Sequence, residues 1–154
     1  MLQLRAKGSE IRFIGVPKTI DNDLMYTDHT PGYGSAAKYI ATILKEVICD
    51  SSVYNIRSVT VAEIMGRHTG WLAGAASLAA GADCNGPDII LLPERPFDEN
   101  VFLEKVAQLE KDRHNVIIAA SEAATSRARA LKLSLIHISE PTRRTPISYA
   151  VFCL

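Results

Sequence analysis

The sequence predicts an α/β protein in which a parallel sheet is covered by helices on both faces, and three observations carry that expectation. Short apolar runs alternate along the chain with longer segments of helical period. The runs at residues 11–16, 58–64, 88–92 and 115–120 are nearly all apolar rather than alternating, as strands buried on both faces require. Polar clusters sit just past several of these runs. In sheets of this kind ligands bind outside the carboxyl ends of the strands, so the clusters at residues 18–23, 66–69 and 121–122 are expected to converge.

Taken in order, residues 11–16 form a short β-branched run closed by Pro17 and read as a buried strand. Residues 17–34 combine Pro, Asp, Asn and Gly, the residues that make turns, in a loop too long for a plain connection. From residue 35 to 50, Ala36, Tyr39, Ile40, Ile43, Leu44, Val47 and Ile48 recur at helical spacing, with Ser35 placed as a cap. Residues 58–64 make a second strand, 69–80 a helix of small residues, 88–92 a third strand, 100–111 a third helix and 115–120 a fourth strand. After Glu122 the rhythm stops. Residues 134–154 show neither a clean period nor turn chemistry between elements, and they closely resemble translated sequencing-adapter read-through, a non-native tail left out of the expected fold, the alternative being a genuine, poorly patterned C-terminal strand.

Composition excludes several classes of function. At 154 residues, with 47% hydrophobic and 22% charged content, the chain is neither disordered nor fibrous. Lys plus Arg and Asp plus Glu each number 17, so no net field draws it to nucleic acid or to an anionic membrane, and any phosphate binding must be local. Cys49, Cys84 and Cys153 are odd in number and widely spaced, which disfavours both a disulfide framework and a zinc site. With no apolar signal core and no run of membrane-spanning length, the expectation is a cytoplasmic protein without nucleic-acid or membrane partners.

Two clusters can carry chemistry. Lys18, Thr19, Asp21 and Asp23 put a cation, a hydroxyl and two carboxylates at one strand end. Phosphoryl transfer needs that inventory: a base for the attacking hydroxyl, a carboxylate for magnesium or the acceptor, and a cation against phosphate charge. The competing reading is a turn rich in Asp and Asn whose carboxylates only satisfy backbone N–H groups, and the residues alone leave the two even. In the second cluster, Gly66 permits close backbone approach, Arg67 offers a fork for phosphate and Thr69 can cap the next helix. His68 is given no catalytic role. Gly32-Tyr33-Gly34-Ser35-Ala36-Ala37 matches the spacing of a dinucleotide fingerprint, but a long polar loop separates it from the preceding run, so capping and tight packing are the better reading.

Pro17-Lys18-Thr19-Ile20-Asp21-Asn22-Asp23, followed by Met65-Gly66-Arg67 after a helix and a strand, resembles the phosphofructokinase family. The likeness extends from about Glu10 to Glu122 and includes Thr27 to Gly32 and Leu92-Pro93-Glu94. It implies two Rossmann-like lobes, with residues 1–34 ending the donor-side lobe and residues 35–133 forming an incomplete sugar-phosphate-side lobe. It also implies phosphoryl transfer from pyrophosphate or ATP to the 1-hydroxyl of fructose 6-phosphate, with Mg2+, in glycolysis. On that resemblance Asp21 is the general base, and Asp23 beside it helps with magnesium or substrate. Thr19, Ile20, Met65 and Gly66 line the sugar-phosphate site, Arg67 stabilises charge on the moving phosphoryl group, and Glu122 bonds the sugar hydroxyls. Lys18 leans the donor toward pyrophosphate. A homo-oligomeric parent is implied, from which this chain is expected to be an inactive fragment, because the Gly-Gly-Asp motif that selects the donor, expected upstream of residue 11, is absent. The departures are Ala123, where glycine is expected, and Ser58, where many ATP enzymes carry an arginine. The rivals are a non-catalytic relative and a dinucleotide-binding module.

Overall fold

The structure, a computed structural model, describes residues 11–12 and 14–125 in full and residues 148–153 as backbone. Its elements run α1 (Tyr33–Ser52), β1 (Ser58–Ile64), α2 (Trp71–Ala75) continued by a 3-10 turn (Ala76–Ala79), β2 (Ile89–Leu91), α3 (Glu99–Asp112), β3 (Asn115–Ser121) and β4 (Ser148–Cys153). The strands form a four-stranded sheet in the order β2-β3-β1-β4. Every pairing is parallel, with Ser58 opposite Asn115 and Ile64 opposite Ser121 in the central pair. A strand order that departs from chain order is what helical crossovers between parallel strands produce.

Alternation along β1 and β3 divides the core in two. Ala62, Ile64, Ile117 and Ala119 face one way and pack with Ile40 and Leu44 of α1 and with Leu72, Ala73, Ala76 and Ala79. Val59, Val61, Val116, Ile118 and Ala120 face the other way, against Phe102, Val106 and Leu109 of α3. The uninterrupted apolar runs are therefore strands covered on both faces, as expected. Small residues from Ala73 to Ala79 let the second helical segment lie close to the sheet, while Leu44, fully buried, fills the space above it.

Helix ends follow local chemistry. Asp98 caps α3 by accepting from the backbone N–H groups of Asn100 (3.0 Å) and Val101 (3.1 Å). Helix α1 starts earlier than expected, and its cap is Gly32, held at φ 92°, rather than Ser35. A β-carbon at Gly32 would stand 3.0 Å from Ile20 Cγ2, so loop packing as well as backbone conformation favours glycine there. Lys45 of α1 reaches Asp83 at 2.7 Å, and that hydrogen bond raises the lysine and lowers the carboxyl from their ordinary values. Both ends of the pair are open to solvent, so it adds little stability.

One expectation about elements is corrected. Of residues 11–16, those the structure describes (11–12 and 14–16) are in no strand: Ile11, Ile14 and Val16 are exposed, and among the described residues no strand lies beside them. A strand exists only through a ladder with a neighbouring strand, and an apolar run does not by itself supply one. Residues 148–153, at the end of the stretch read as a non-native tail, pair in parallel with β1 from Ser148 opposite Ser58 to Cys153 opposite Glu63. The free edge of β1 presents unpaired N–H and C=O groups, and a short extended segment satisfies them whatever its sequence period. The remainder of the excluded stretch, residues 134–147, lies outside the described residues.

Candidate active site at the carboxyl ends of the strands

Strands β1 and β3 end side by side at Ile64 and Ser121, so the loop after β1 and the turn after β3 emerge together. The long loop before α1 lies against them. The three polar clusters meet there as expected: Asp21, Asp23, Glu63, Met65, Arg67, His68 and Glu122 line one open cleft of about 540 Å³.

Each loop has its own reason for its shape. Asn22 is buried, takes a left-handed φ of 59°, and staples the long loop: its Nδ2 donates to the Asp28 carbonyl at 3.1 Å, and its Oδ1 accepts from the Thr30 N–H at 2.9 Å. Asparagine tolerates that conformation because its short amide bonds the backbone locally. Asp21 is fixed through its main chain. Its N–H donates to Thr19 Oγ1 at 3.1 Å, and its carbonyl accepts from Thr69 Oγ1 at 2.9 Å. The carboxylate oxygen Oδ1 is buried without a hydrogen-bond partner. A buried carboxylate oxygen left unsatisfied is costly.

In the loop after β1, Gly66 adopts φ 138°, where a β-carbon would lie 2.8 Å from the Thr69 carbonyl oxygen. That turn directs Arg67 outward. Its guanidinium Nε lies 3.6 Å from Glu122 Oε1, with 76% of the arginine side chain exposed, so the pair bridges the two strand ends without immobilising the cation. Thr69 does not cap α2. The N-cap is Gly70, whose N–H donates to Glu94 Oε1 at 2.6 Å, and the threonine hydroxyl is turned to Asp21 instead.

Of the residues singled out from the sequence, Asp21, Asp23, Met65, Arg67 and Glu122 line the cleft, whereas Lys18, Thr19, Ile20 and Gly66 do not. Thr19 supports the Asp21 backbone, Ile20 packs against the core beside α1, and Lys18 is exposed. Sequence reasoning missed the roles of Asn22, Glu63, Thr69 and Glu94. An asparagine between two aspartates was a visible turn signal, but the reach of Glu94 to a backbone 24 residues earlier had none. The Gly32–Gly34 spacing forms no dinucleotide cradle: Gly34 lies within α1, with nothing near the place of a β-carbon.

The cleft gathers Asp21, Asp23, Glu63 and Glu122 against Arg67 and His68, an excess of acidic groups. Such a surface suits sugar hydroxyls, which donate to carboxylates, and needs added positive charge before it will accept a polyphosphate. Among the described residues no three His, Cys, Asp or Glu side chains form a ready-made metal cage. Magnesium does not require one, since it is commonly held by one or two carboxylates together with phosphate oxygens and water. Asp23, exposed at the cleft wall, fits that use.

Comparison with known proteins agrees with this arrangement. The family model described as Phosphofructokinase matches residues 1–149. A pyrophosphate--fructose 6-phosphate 1-phosphotransferase of Xanthomonas campestris is 49% identical over 120 residues, 77% of this chain and 29% of that protein. An ATP-dependent 6-phosphofructokinase of Chloroflexus aurantiacus is 40% identical over 127 residues, 82% of this chain and 33% of that protein. Among solved structures, a pyrophosphate-dependent phosphofructokinase from Marinobacter aquaeolei superposes with a TM-score of 0.77 at 39% identity, covering 97% of this chain and 39% of that one. The chain thus spans about a third of the length of the relatives it matches. A sheet with this strand order, a cleft at its carboxyl edge and likeness on this scale establish that the chain belongs to the phosphofructokinase family.

Proposed function

We propose that this chain provides the acceptor side of a fructose 6-phosphate 1-phosphotransferase that uses magnesium and takes its phosphoryl group from pyrophosphate, with ATP as the second candidate donor. The observation that carries the proposal is the convergence of Asp21, with its unbonded buried oxygen, on Arg67 and Glu122 in one cleft. Asp21 takes the proton from the sugar 1-hydroxyl, whose oxygen attacks the terminal phosphorus of the donor. The bond from that phosphorus to the leaving phosphate breaks, giving fructose 1,6-bisphosphate and inorganic phosphate. Arg67 is exposed and loosely held, so it can follow the charge that grows on the phosphoryl oxygens. Glu122 accepts hydrogen bonds from sugar hydroxyls, and Met65 supplies apolar contact to the ring. Thr19, Ile20 and Gly66 hold the walls in place.

When bound, magnesium offsets donor charge that the acidic cleft would otherwise repel, and Asp23 is the residue to hold it. Lys18 favours the pyrophosphate reading because lysine at this position resembles the pyrophosphate-using members of the family and adds a local cation beside the loop. The division of the chain near Gly34 into a donor-side end and a sugar-side lobe, a homo-oligomeric assembly and a cytoplasmic setting belong to the same proposal.

The test is Arg67→Ala in the intact enzyme that carries this chain, assayed for fructose 6-phosphate turnover with each donor. Loss of a charge-stabilising group lowers kcat by about a hundred- to a thousand-fold, with a much smaller change in KM. Unchanged turnover with weaker substrate binding alone contradicts the role given to Arg67.

A further inference from the structure

We infer that Thr69 is a positioning residue for Asp21, tying the loop that carries the proposed base to the loop that carries Arg67. The inference rests on the phosphotransferase reading of the cleft and adds a part that this reading does not contain. The Thr69 hydroxyl donates to the Asp21 carbonyl at 2.9 Å across 48 positions of sequence. On the other side of the same residue, the Asp21 N–H donates to Thr19 Oγ1. Both main-chain polar groups of Asp21 are thus taken up by threonine hydroxyls, while Oδ1 is left unbonded.

Thr69 is itself fixed. Its carbonyl packs over Gly66, whose φ of 138° and missing β-carbon allow that approach, and the next residue, Gly70, is held through its N–H by Glu94 at 2.6 Å. Arg67 lies between Gly66 and Thr69. One short segment, clamped at both ends, therefore sets the arginine and, through a single hydroxyl, the aspartate. A threonine before a helix usually caps it; here α2 has no side-chain cap bond, and the hydroxyl serves the neighbouring loop. Displacement of a reacting group by about 1 Å costs on the order of a hundredfold in rate, so a tether of this kind acts on turnover rather than on substrate affinity.

The experiment compares Thr69→Val, which keeps the shape and removes the donor, with Thr69→Ser, which keeps the donor, in the intact enzyme. Thr69→Val is expected to lower kcat for fructose 6-phosphate about ten- to a hundredfold, with KM changed less than about threefold. Thr69→Ser is expected to recover most of that loss. Amide hydrogen exchange over residues 18–23 supplies a readout independent of turnover: it should speed up in Thr69→Val and return toward the parent rate in Thr69→Ser. The inference is overturned by unchanged kcat and exchange in Thr69→Val, by a loss confined to KM, or by equal losses in both variants. Asp21→Asn separates this result from the larger reading. An inactive Asp21→Asn beside a fully active Thr69→Val removes only the tether, whereas an active Asp21→Asn removes the base itself.

Discussion

At the scale of single residues, the site depends on a few backbone conformations that only certain side chains permit. Gly66 is the sharpest case, since φ 138° belongs to glycine and the Thr69 carbonyl fills the place of a β-carbon. Gly66→Ala is expected to cost about 1–3 kcal/mol of stability and to lower turnover at least tenfold by displacing Arg67. Thermal unfolding and steady-state kinetics on one preparation check this, and an unchanged melting temperature contradicts it. Asp21, Arg67 and Glu122 were legible as neighbours because polar residues stand just past apolar runs, while the roles proposed for them come from the family resemblance. Thr69 was not, because a threonine before a helix has a commoner use, and only the folded loops show where its hydroxyl points.

At the scale of elements, α1, β1, α3 and β3 were legible because long period or unbroken apolarity leaves little choice of structure. Their ends were less so. Glycine took the place of Ser35 at the start of α1, since packing of the loop against Ile20 set where the helix could begin. The expected strand at residues 11–16 shows the limit of apolarity as a signal: a strand is decided by a neighbour, which local sequence does not contain. Helix α3 has no fully buried residue, so its end chemistry carries more weight than in α1. Asp98→Ala removes the acceptor of two N–H groups and is expected to lower stability by about 1 kcal/mol. A urea titration should show a lower midpoint, and an unchanged midpoint would contradict the capping role.

For the molecule as a whole, the position of the site followed from topology before any single residue was assigned. Parallel strands share a carboxyl edge, so clusters far apart in sequence are delivered to one place. The sheet's opposite edge, where Asp88 accepts from Arg113 and from the Ile117 N–H, holds strands together and carries none of these groups. Electrostatics were the less legible part. Net charge is zero for the chain, yet the cleft gathers four carboxylates, an asymmetry that only folding creates. On the proposed function, that asymmetry suits hydroxyls and a metal-bridged phosphate better than a bare anion. The central claim is that Asp21 removes the proton from the acceptor hydroxyl, and turnover of Asp21→Asn in the intact enzyme tests it most directly. The account predicts a fall in kcat of about a hundred- to ten-thousandfold with fructose 6-phosphate still bound; near-parental kcat would contradict it.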